Sequence, residues 1–222
     1  MMQDVVAIDG PAGSGKSSVS RAVAGRLGCV YLDTGAMYRA VALAAKRSGV
    51  DPGDHPGLGA LCRGLDLSFV PDGEHVRLFL GEEDVSDAIR TPEMDMLSSA
   101  VSAVPEVRQA MTGLQRRMGE AGGVVAEGRD MGTVVFPRTR HKFFLTASPE
   151  VRAERRYRER RARGEDVTLS RVTEELRQRD RQDESRSVAP LRASEDARVI
   201  DTTDMTLEQV VSSITRAVQS GD

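Results

Sequence analysis

Short apolar runs alternate with longer stretches of helical periodicity along most of the chain. Five such runs are typical of buried strands: Val5–Ile8, Cys29–Leu32, Val124–Ala126, Lys142–Leu145 and Val199–Ile200. Between them the pattern predicts helices at about 15–27, 35–48, 93–121 with a break near Pro105, 149–163, 168–182 and 206–219. This alternation is typical of a mostly parallel sheet with helices on both faces. The sequence therefore predicts an α/β fold.

Two segments do not follow this alternation of strands and helices. In the stretch 66–83, apolar positions flank Pro71-Asp72-Gly73-Glu74, which predicts a small antiparallel hairpin with its turn at these four residues. The stretch from Gly49 to Gly59 has no clear periodicity and resembles a linker. A chain of 222 residues fits one compact domain with such insertions.

Composition narrows the classes of function. The net charge of −3 argues against a dedicated nucleic-acid-binding protein. Cys29 and Cys62 fit neither a disulfide framework nor a zinc pattern, which indicates a reduced, intracellular protein. The chain enters its first strand almost at once, and no apolar run approaches the length of a membrane span. We therefore expect a cytoplasmic protein that does not bind membranes.

The strongest chemical signal is an octapeptide between the first strand and the first helix, Gly10-Pro11-Ala12-Gly13-Ser14-Gly15-Lys16-Ser17. It fits the phosphate-binding pattern G-x-x-x-x-G-K-[ST]. In such a loop the backbone N–H groups surround the β-phosphate, the lysine reaches the β- and γ-oxygens, and the hydroxyl of Ser17 can ligate Mg²⁺. The loop predicts a nucleoside triphosphate site.

Two further groups of residues follow predicted strands. Thr34 and Arg39 lie about one helical turn apart and could meet one ligand; alternatively, the segment is a plain helix cap with a solvent-facing arginine. Glu127, Arg129 and Asp130 lie at the carboxyl edge of the predicted sheet, where open α/β folds bind ligands. There Glu127 could hold a metal-bound water, although a buried structural ion pair is the alternative.

Two arginine-rich segments complete the candidate chemistry. Arg179, Asp183 and Arg186 occupy one helical face, which suits either a clamp for a phosphoryl group or a solvated face with salt bridges. The stretch from Arg152 to Arg163 holds seven arginines and could be a mobile arm or an ordinary solvated helix.

Together these motifs resemble bacterial cytidylate kinases, members of the nucleoside monophosphate kinase group. The resemblance covers nearly the whole chain and rests on the segments Ile8–Pro11, Leu32–Arg39, Gly128–Pro137, Arg179–Arg181 and Ser187–Leu191, of which Gly128–Pro137 is highly specific. It implies a P-loop three-layer fold with a five-stranded parallel sheet, a monophosphate-binding insertion containing a small antiparallel β element, and a short lid. The implied single domain, 1–222, has a core of 1–33, 111–149 and 167–222, a monophosphate-binding region at 34–110 and a lid at about 150–166.

The resemblance implies transfer of a phosphoryl group from ATP to CMP and dCMP, giving ADP and CDP or dCDP, with Mg²⁺. It assigns ATP binding to the phosphate loop and the residue after it, that is, Gly10, Pro11, Ala12, Gly13, Ser14, Gly15, Lys16, Ser17 and Ser18. The cytosine would be contacted by Thr34, Ser99, Arg108, Asp130 and Arg186, the sugar by Asp183 and Arg179, and the acceptor phosphate by Arg39 and Arg129. Lys16, Arg129, Arg179 and the lid arginines Arg155 and Arg158 would be catalytic, and Ser17 would ligate the metal.

Some alternatives stay open at this point. Ser98 or Ser102 could replace Ser99 if the helix has a different phase. Thr34 and Glu127 stand where Ser and Asp are common in the family, and both keep the functional group. The rival functions are a P-loop kinase acting on UMP, a sugar or shikimate, and an RNA-binding protein using the arginines of 152–186. Twelve Arg against ten Asp and Glu between Glu150 and Arg186 argue against the latter. We expect a monomer that does not bind nucleic acid.

Overall fold

The computed structural model describes residues 4–72 and 75–220. Its strands, in chain order, are β1 (Val6–Asp9), β2 (Val30–Asp33), β3 (Leu67–Asp72), β4 (His75–Leu80), β5 (Glu83–Asp84), β6 (Val124–Gly128), β7 (His141–Thr146) and β8 (Arg198–Asp201). Its α-helices are α1 (Lys16–Leu27), α2 (Thr34–Ser48), α3 (His55–Arg63), α4 (Pro92–Ser102), α5 (Pro105–Gly119), α6 (Pro149–Ala162), α7 (Leu169–Ser185) and α8 (Leu207–Ser220). A π-helical turn spans Met131–Val135.

The chain divides into two compact units. The first consists of the stretch up to Tyr31 and the stretch from Gly122 onward, and the second is Leu32–Ala121. The large sheet has the order β2-β6-β1-β7-β8, and β2 begins in the first unit and ends in the second. The pairs β1–β6, β1–β7 and β7–β8 are parallel, with Val6 opposite both Val125 and His141.

The core of the first unit forms around the central strands. Every residue of β1 and β6 is buried, as is typical of parallel strands covered on both faces. Helix α1 packs against β6 and α8, and α6 packs against α7. Between α6 and α7 lies a small apolar cluster, against which Ala12 of the phosphate loop also packs; its buried members are Ala153, Val167, Val172 and Leu176. Apolar packing therefore links α6 and α7 to the loop.

The second unit combines four helices with the antiparallel sheet β3-β4-β5. Helix α2 packs against α4, and α3 packs against α5. Side-chain caps begin three of these helices: Asp33 accepts from the Ala36 N–H, Asp54 from the Gly57 N–H and Thr91 from the Met94 N–H.

The α/β fold class, the five-stranded parallel sheet and the small antiparallel element are confirmed. The linker interpretation of residues 49–59 is wrong from His55 onward, where α3 begins. Glycine-rich sequence lowers helix propensity, but the Asp54 cap and the buried Leu58 and Cys62, four residues apart, support this helix. Gly73 and Glu74 of the predicted hairpin turn lie outside the described residues. No helix in the described ranges is long and apolar enough to cross a membrane.

Candidate active site

The phosphate loop, residues 10–17, connects β1 to α1 in the first unit. Its backbone lies so close to its neighbours that two positions require glycine. A Cβ on Gly10 would stand 2.1 Å from the carbonyl oxygen of Leu145, and one on Gly13 would stand 2.7 Å from that of Arg152. Gly13 also has a φ of 77°, in the left-handed region. The loop is therefore held by backbone contacts with the end of β7 and the start of α6.

The loop ends where α1 begins. Gly15 precedes the helix in a left-handed conformation and, having no side chain, provides no cap for the first N–H groups. Such uncapped N–H groups at a helix N-terminus form a binding site for anions. The Oγ atom of Ser14 is buried without a hydrogen-bond partner among the described residues. These features suit a loop that binds phosphate oxygens.

Lys16 is the buried cation of this loop. Its side chain is 8% exposed, and its Nζ donates to the carbonyl oxygen of Pro11 over 3.0 Å. Burial, together with the charge of Arg129, lowers the pKa of Lys16 to about 7, and the charge of Glu127 opposes this change. A phosphate anion beside Nζ would restore the ammonium form, so binding and protonation of Lys16 are coupled.

Ser17, Tyr31 and Glu127 form a hydrogen-bonded group next to Lys16. The hydroxyls of Ser17 and Tyr31 both donate to Oε1 of Glu127, each over 2.8 Å. Glu127 is only 4% exposed. A hydroxyl and a carboxylate are the hard oxygen ligands that Mg²⁺ prefers, and one or two such groups suffice where phosphates supply the rest. The donor set therefore fits a magnesium ion bound together with a nucleotide.

Arginines from two segments meet around Asp183 of α7. Arg129 Nε donates to Asp183 Oδ2 over 2.7 Å, and Arg186 Nη1 lies 3.6 Å from Asp183 Oδ1. Burial alone would raise the pKa of Asp183, but the charges of Arg129, Arg179 and Arg186 lower it overall. Because Arg129 and Arg179 also act on Lys16, the predicted residues of β6 and α7 lie close to the phosphate loop. The cluster offers several cations to an anionic ligand.

A second buried carboxylate, Asp9, ends β1. It accepts hydrogen bonds from the backbone N–H groups of Met131 and Gly132, each over 2.8 Å. These N–H groups directly follow Asp130, which is itself 2% exposed. Burial raises the pKa of Asp9 to about 7, although the hydrogen bonds from Gly132 and Met131 act in the opposite direction; the charge of Asp130 contributes to the rise.

The arginines of α6 have different surroundings. Arg152 Nη1 donates to the carbonyl oxygen of Ala12 over 3.2 Å and to Asp180 Oδ2 over 2.7 Å. Arg155 donates to the hydroxyl and carbonyl oxygens of Thr202, and its Nη1 lies 3.8 Å from where a Cβ of Gly15 would stand. Arg158 pairs with Glu154, and its side chain is 73% exposed. Of the two predicted lid arginines, Arg155 is therefore the one beside the phosphate loop.

In the second unit, Thr34 and Arg39 lie on the first turns of α2. Thr34 is buried, and Arg39 Nη1 lies 3.7 Å from where a Cβ of Gly35 would stand. Arg39 Nε also donates to Asp95 Oδ1 over 3.1 Å. The guanidinium of Arg39 is thus turned toward the start of its own helix, near Thr34.

Arg108 and the three serines of α4 also belong to the second unit. Arg108 is 3% exposed; its Nη1 donates to the carbonyl oxygen of Ser102, and its Cζ lies 5.5 Å from the centre of the Tyr38 ring. Ser98 is buried and donates to the carbonyl oxygen of Asp95, whereas Ser99 is half-buried. The role of Ser99 stays a prediction.

Several residues that shape the site were not predicted from the sequence, namely Asp9, Tyr31, Asp95, Arg152, Asp180 and Thr202. Thr202 donates to the carbonyl oxygens of Ser14 and Thr146, which fixes the phosphate loop against β7. Only Asp9 had a signal in the sequence, because a carboxylate that ends an apolar strand needs buried partners. The others act through contacts between distant segments.

Comparisons with known proteins identify the family of the chain. The family model described as cytidylate kinase matches residues 6–220 of the chain. The chain belongs to the cytidylate kinase family. Among curated members of the cytidylate kinase family, the protein from Geobacter sp. strain M21 is 54% identical over 215 residues, covering 97% of this chain and 92% of that protein. The cytidylate kinase of Syntrophotalea carbinolica is 53% identical over 216 residues, covering 97% and 92%.

A solved structure supports the fold alone. A crystal structure of an uncharacterized protein from Eubacterium ventriosum aligns with a TM-score of 0.53 and 11% identity, covering 98% of this chain and 99% of that one. The sequence identity to cytidylate kinases therefore supplies the family, and the structure shows how this chain places the residues that the family resemblance singled out.

Proposed function

We propose that this protein transfers the γ-phosphoryl group of ATP to CMP and dCMP, giving ADP and CDP or dCDP. The observation that carries this function is the placement of Lys16 beside Arg129 and Arg179, within a chain that matches the cytidylate kinase family over residues 6–220. Lys16 belongs to the loop suited to the donor triphosphate, and the two arginines belong to segments suited to the acceptor. In this arrangement the phosphates of the donor and of the acceptor both lie next to these three positively charged side chains.

In this proposal the reaction is a direct in-line transfer without a covalent intermediate. A phosphate monoester is already a good nucleophile near neutral pH, so no general base is needed. Positioning and charge neutralisation supply most of the catalysis. Lys16, Arg129, Arg179 and Arg155 neutralise charge on the transferring group, and Arg158 would need to turn from its exposed position to join them.

The magnesium ion expected with ATP would be held by the hydroxyl of Ser17, with Glu127 holding a metal-bound water. When bound, the ion neutralises charge on the triphosphate. Tyr31 orients the Glu127 carboxylate by its hydrogen bond to Oε1.

For the acceptor, we assign the phosphate to Arg39 and Arg129 and the sugar to Asp183 with Arg179. Cytosine differs from uracil in offering an acceptor at N3 and a donor at its exocyclic amine. Arg108 and Arg186 can donate and Asp130 can accept, and Thr34 and Ser99 complete the proposed base site. In this proposal residues 34–110 bind the monophosphate, residues 150–166 act as the lid, and the protein is a monomer.

The test is a coupled assay of ADP release with ATP, Mg²⁺ and each of CMP, dCMP, UMP, AMP and GMP in turn. We expect turnover with CMP and dCMP well above that with the other acceptors. The Lys16→Ala variant should lose at least about a hundredfold in kcat, because charge stabilisation at the transferring group is removed. Turnover with none of the five acceptors would contradict the proposal and would redirect it to a non-nucleotide acceptor.

A further inference from the structure

The two hydrogen bonds of Asp9 connect the ends of two neighbouring strands. Asp9 ends β1, and the N–H groups of Met131 and Gly132 that it binds lie shortly after β6. The carboxylate is 5% exposed and uses both oxygen atoms in these contacts. We call this group of three residues the Asp9 clamp.

The clamp fixes the backbone that carries Arg129 and Asp130. Met131 begins the π-helical turn, so its N–H and that of Gly132 belong to the start of a helix and need an outside acceptor. On the other side, the carbonyl oxygen of Asp130 accepts from the N–H groups of Val134 and Val135. Hydrogen bonds therefore hold residues 130–132 from two sides. The backbone of this segment sets the directions in which the side chains of Arg129 and Asp130 point.

Asp9 also leads directly into the phosphate loop. The next residue, Gly10, lies against the carbonyl oxygen of Leu145, which leaves Asp9 little freedom to shift. Its backbone thus belongs to the segment proposed to bind the donor, and its side chain holds the segment proposed to bind the acceptor. The pairing of β1 with β6 brings the two segments together, and the Asp9 side chain extends this link beyond the end of β6.

We propose that Asp9 is a positioning residue for phosphoryl transfer, whose carboxylate fixes the Arg129–Gly132 segment relative to the phosphate loop. The inference rests on the proposed function, because Arg129 and Asp130 matter here as the acceptor side of that reaction. Burying a carboxylate is unfavourable, and the rise of its pKa to about 7 reflects that cost. The two backbone N–H groups offset part of it.

The kinetic test replaces Asp9 by Asn, which keeps the size of the side chain and exchanges one acceptor oxygen for an amide. We expect kcat to fall at least tenfold and the KM for CMP to rise several-fold. The KM for ATP should stay within about twofold, because Leu145, Arg152 and Thr202 hold the phosphate loop independently. The matched control is Asp4→Asn, which removes charge from a carboxylate that lies just before the same strand and is bonded to Arg140 and the Val5 N–H; it should leave all three constants unchanged.

Parent-like constants in Asp9→Asn would overturn the inference, as would an equal rise of both KM values together with a lowered melting temperature. If the Asn variant does not fold, Asp9→Ser, which keeps one shorter acceptor, is expected to show the same split between the two KM values. If the unmodified protein does not phosphorylate CMP, that result contradicts the proposed function, whereas a normal parent with an unaffected variant contradicts the role of Asp9.

The clamp can also be tested in the unmodified protein. In an NMR titration, the amide proton resonances of Met131 and Gly132 should shift together with the carboxyl carbon of Asp9 and give one common apparent pKa. Amide proton shifts of Met131 and Gly132 that do not change while Asp9 titrates would overturn the inference, whatever the enzyme activity.

Discussion

At the scale of single residues, the site combines a buried lysine with arginines that repel it. Lys16 has little solvent around it, and the charges of Arg129 and Arg179 disfavour its ammonium form. The pKa of Lys16 is therefore lowered to about 7. Binding of a triphosphate supplies negative charge to the same place and favours the ammonium form. Nucleotide binding and proton uptake are linked at this residue.

This linkage predicts that binding of ATP at pH 8 takes up protons. Above pH 7 much of Lys16 is neutral in the free protein, and the bound phosphates raise its pKa. Calorimetric titrations in buffers of different ionisation enthalpy should show an uptake of several tenths of a proton, which disappears at pH 6. Arg21→Lys, whose guanidinium lies near the Tyr31 ring, is a control that should keep the uptake. A proton count near zero at both pH values would contradict the lowered pKa.

Much of the chemistry of the site could be predicted from residues that are close in sequence. The phosphate loop and the Arg179–Asp183–Arg186 face are local patterns, and the structure brings Lys16, Arg129, Arg179 and Asp183 together. Tyr31 and Asp180 could not be predicted in this way. Their partners, Glu127 and Arg152, lie 96 and 28 residues away in the chain, and only the folded structure decides such pairings.

At the scale of elements, α6 is more than the solvated arginine-rich helix that its sequence also allowed. Arg152 lies at its first turn and uses two nitrogens: Nη1 donates to the phosphate loop and to α7, and Nε donates to the carbonyl oxygen of Ala147, which precedes the helix. A lysine at this position has a single nitrogen, which could not replace Nε and Nη1 at the same time. The guanidinium of Arg152 thus adds polar contacts to the apolar packing that links α6 to the loop.

We therefore predict that Arg152→Lys raises the KM for ATP about tenfold and lowers the free energy of unfolding by about 1–3 kcal/mol. Steady-state kinetics and chemical unfolding measure the two effects. Arg161→Lys is the control on the same helix, since Arg161 is half exposed and pairs with the exposed Asp166. It should change the stability by less than about 0.5 kcal/mol. Equal effects of the two substitutions would contradict a special role for Arg152.

The secondary structure shows where local patterns suffice and where they do not. The predicted strands and the long helices match the structure within a few residues, because the strands are short apolar runs and most of the long helices begin at a cap residue or a proline. Helix α3 was missed because its glycines hide the period of Leu58 and Cys62. The π-helical turn was missed because its conformation depends on Asp9, more than 120 residues earlier.

At the scale of the whole molecule, two buried carboxylates make stability depend on pH in opposite directions. The pKa of Asp9 is raised, so its contribution to stability is complete below its ordinary pKa of 3.8 and is lost as the pH rises through about 7. The pKa of Asp183 is lowered, so its contribution is present above its ordinary pKa and is lost as the pH falls through the lower folded value. Of these two carboxylates, Asp9 is therefore the one whose contribution changes between pH 4 and 7.

Asp9→Asn removes this titration and should change the pH profile of stability. We expect the free energy of unfolding of the variant, relative to the parent, to increase by a few kcal/mol between pH 4.5 and 8. Chemical unfolding followed by circular dichroism at a series of pH values measures it. Asp196→Asn should show no such increase, because Lys142 and Ser194 lower the pKa of Asp196 and move its titration below this interval. A difference that is constant with pH would show that Asp9 does not titrate there.

The hydrogen bond from Tyr31 to Glu127 has an optical consequence. The chain contains three tyrosines and no tryptophan, so its ultraviolet emission comes from Tyr31, Tyr38 and Tyr157 alone. A phenol that donates to a carboxylate emits weakly, and one third of the fluorophores therefore reports on the Glu127 carboxylate. When that carboxylate turns to another partner, the emission of Tyr31 changes. The protein thus carries a label-free fluorescent reporter at the position proposed for its metal.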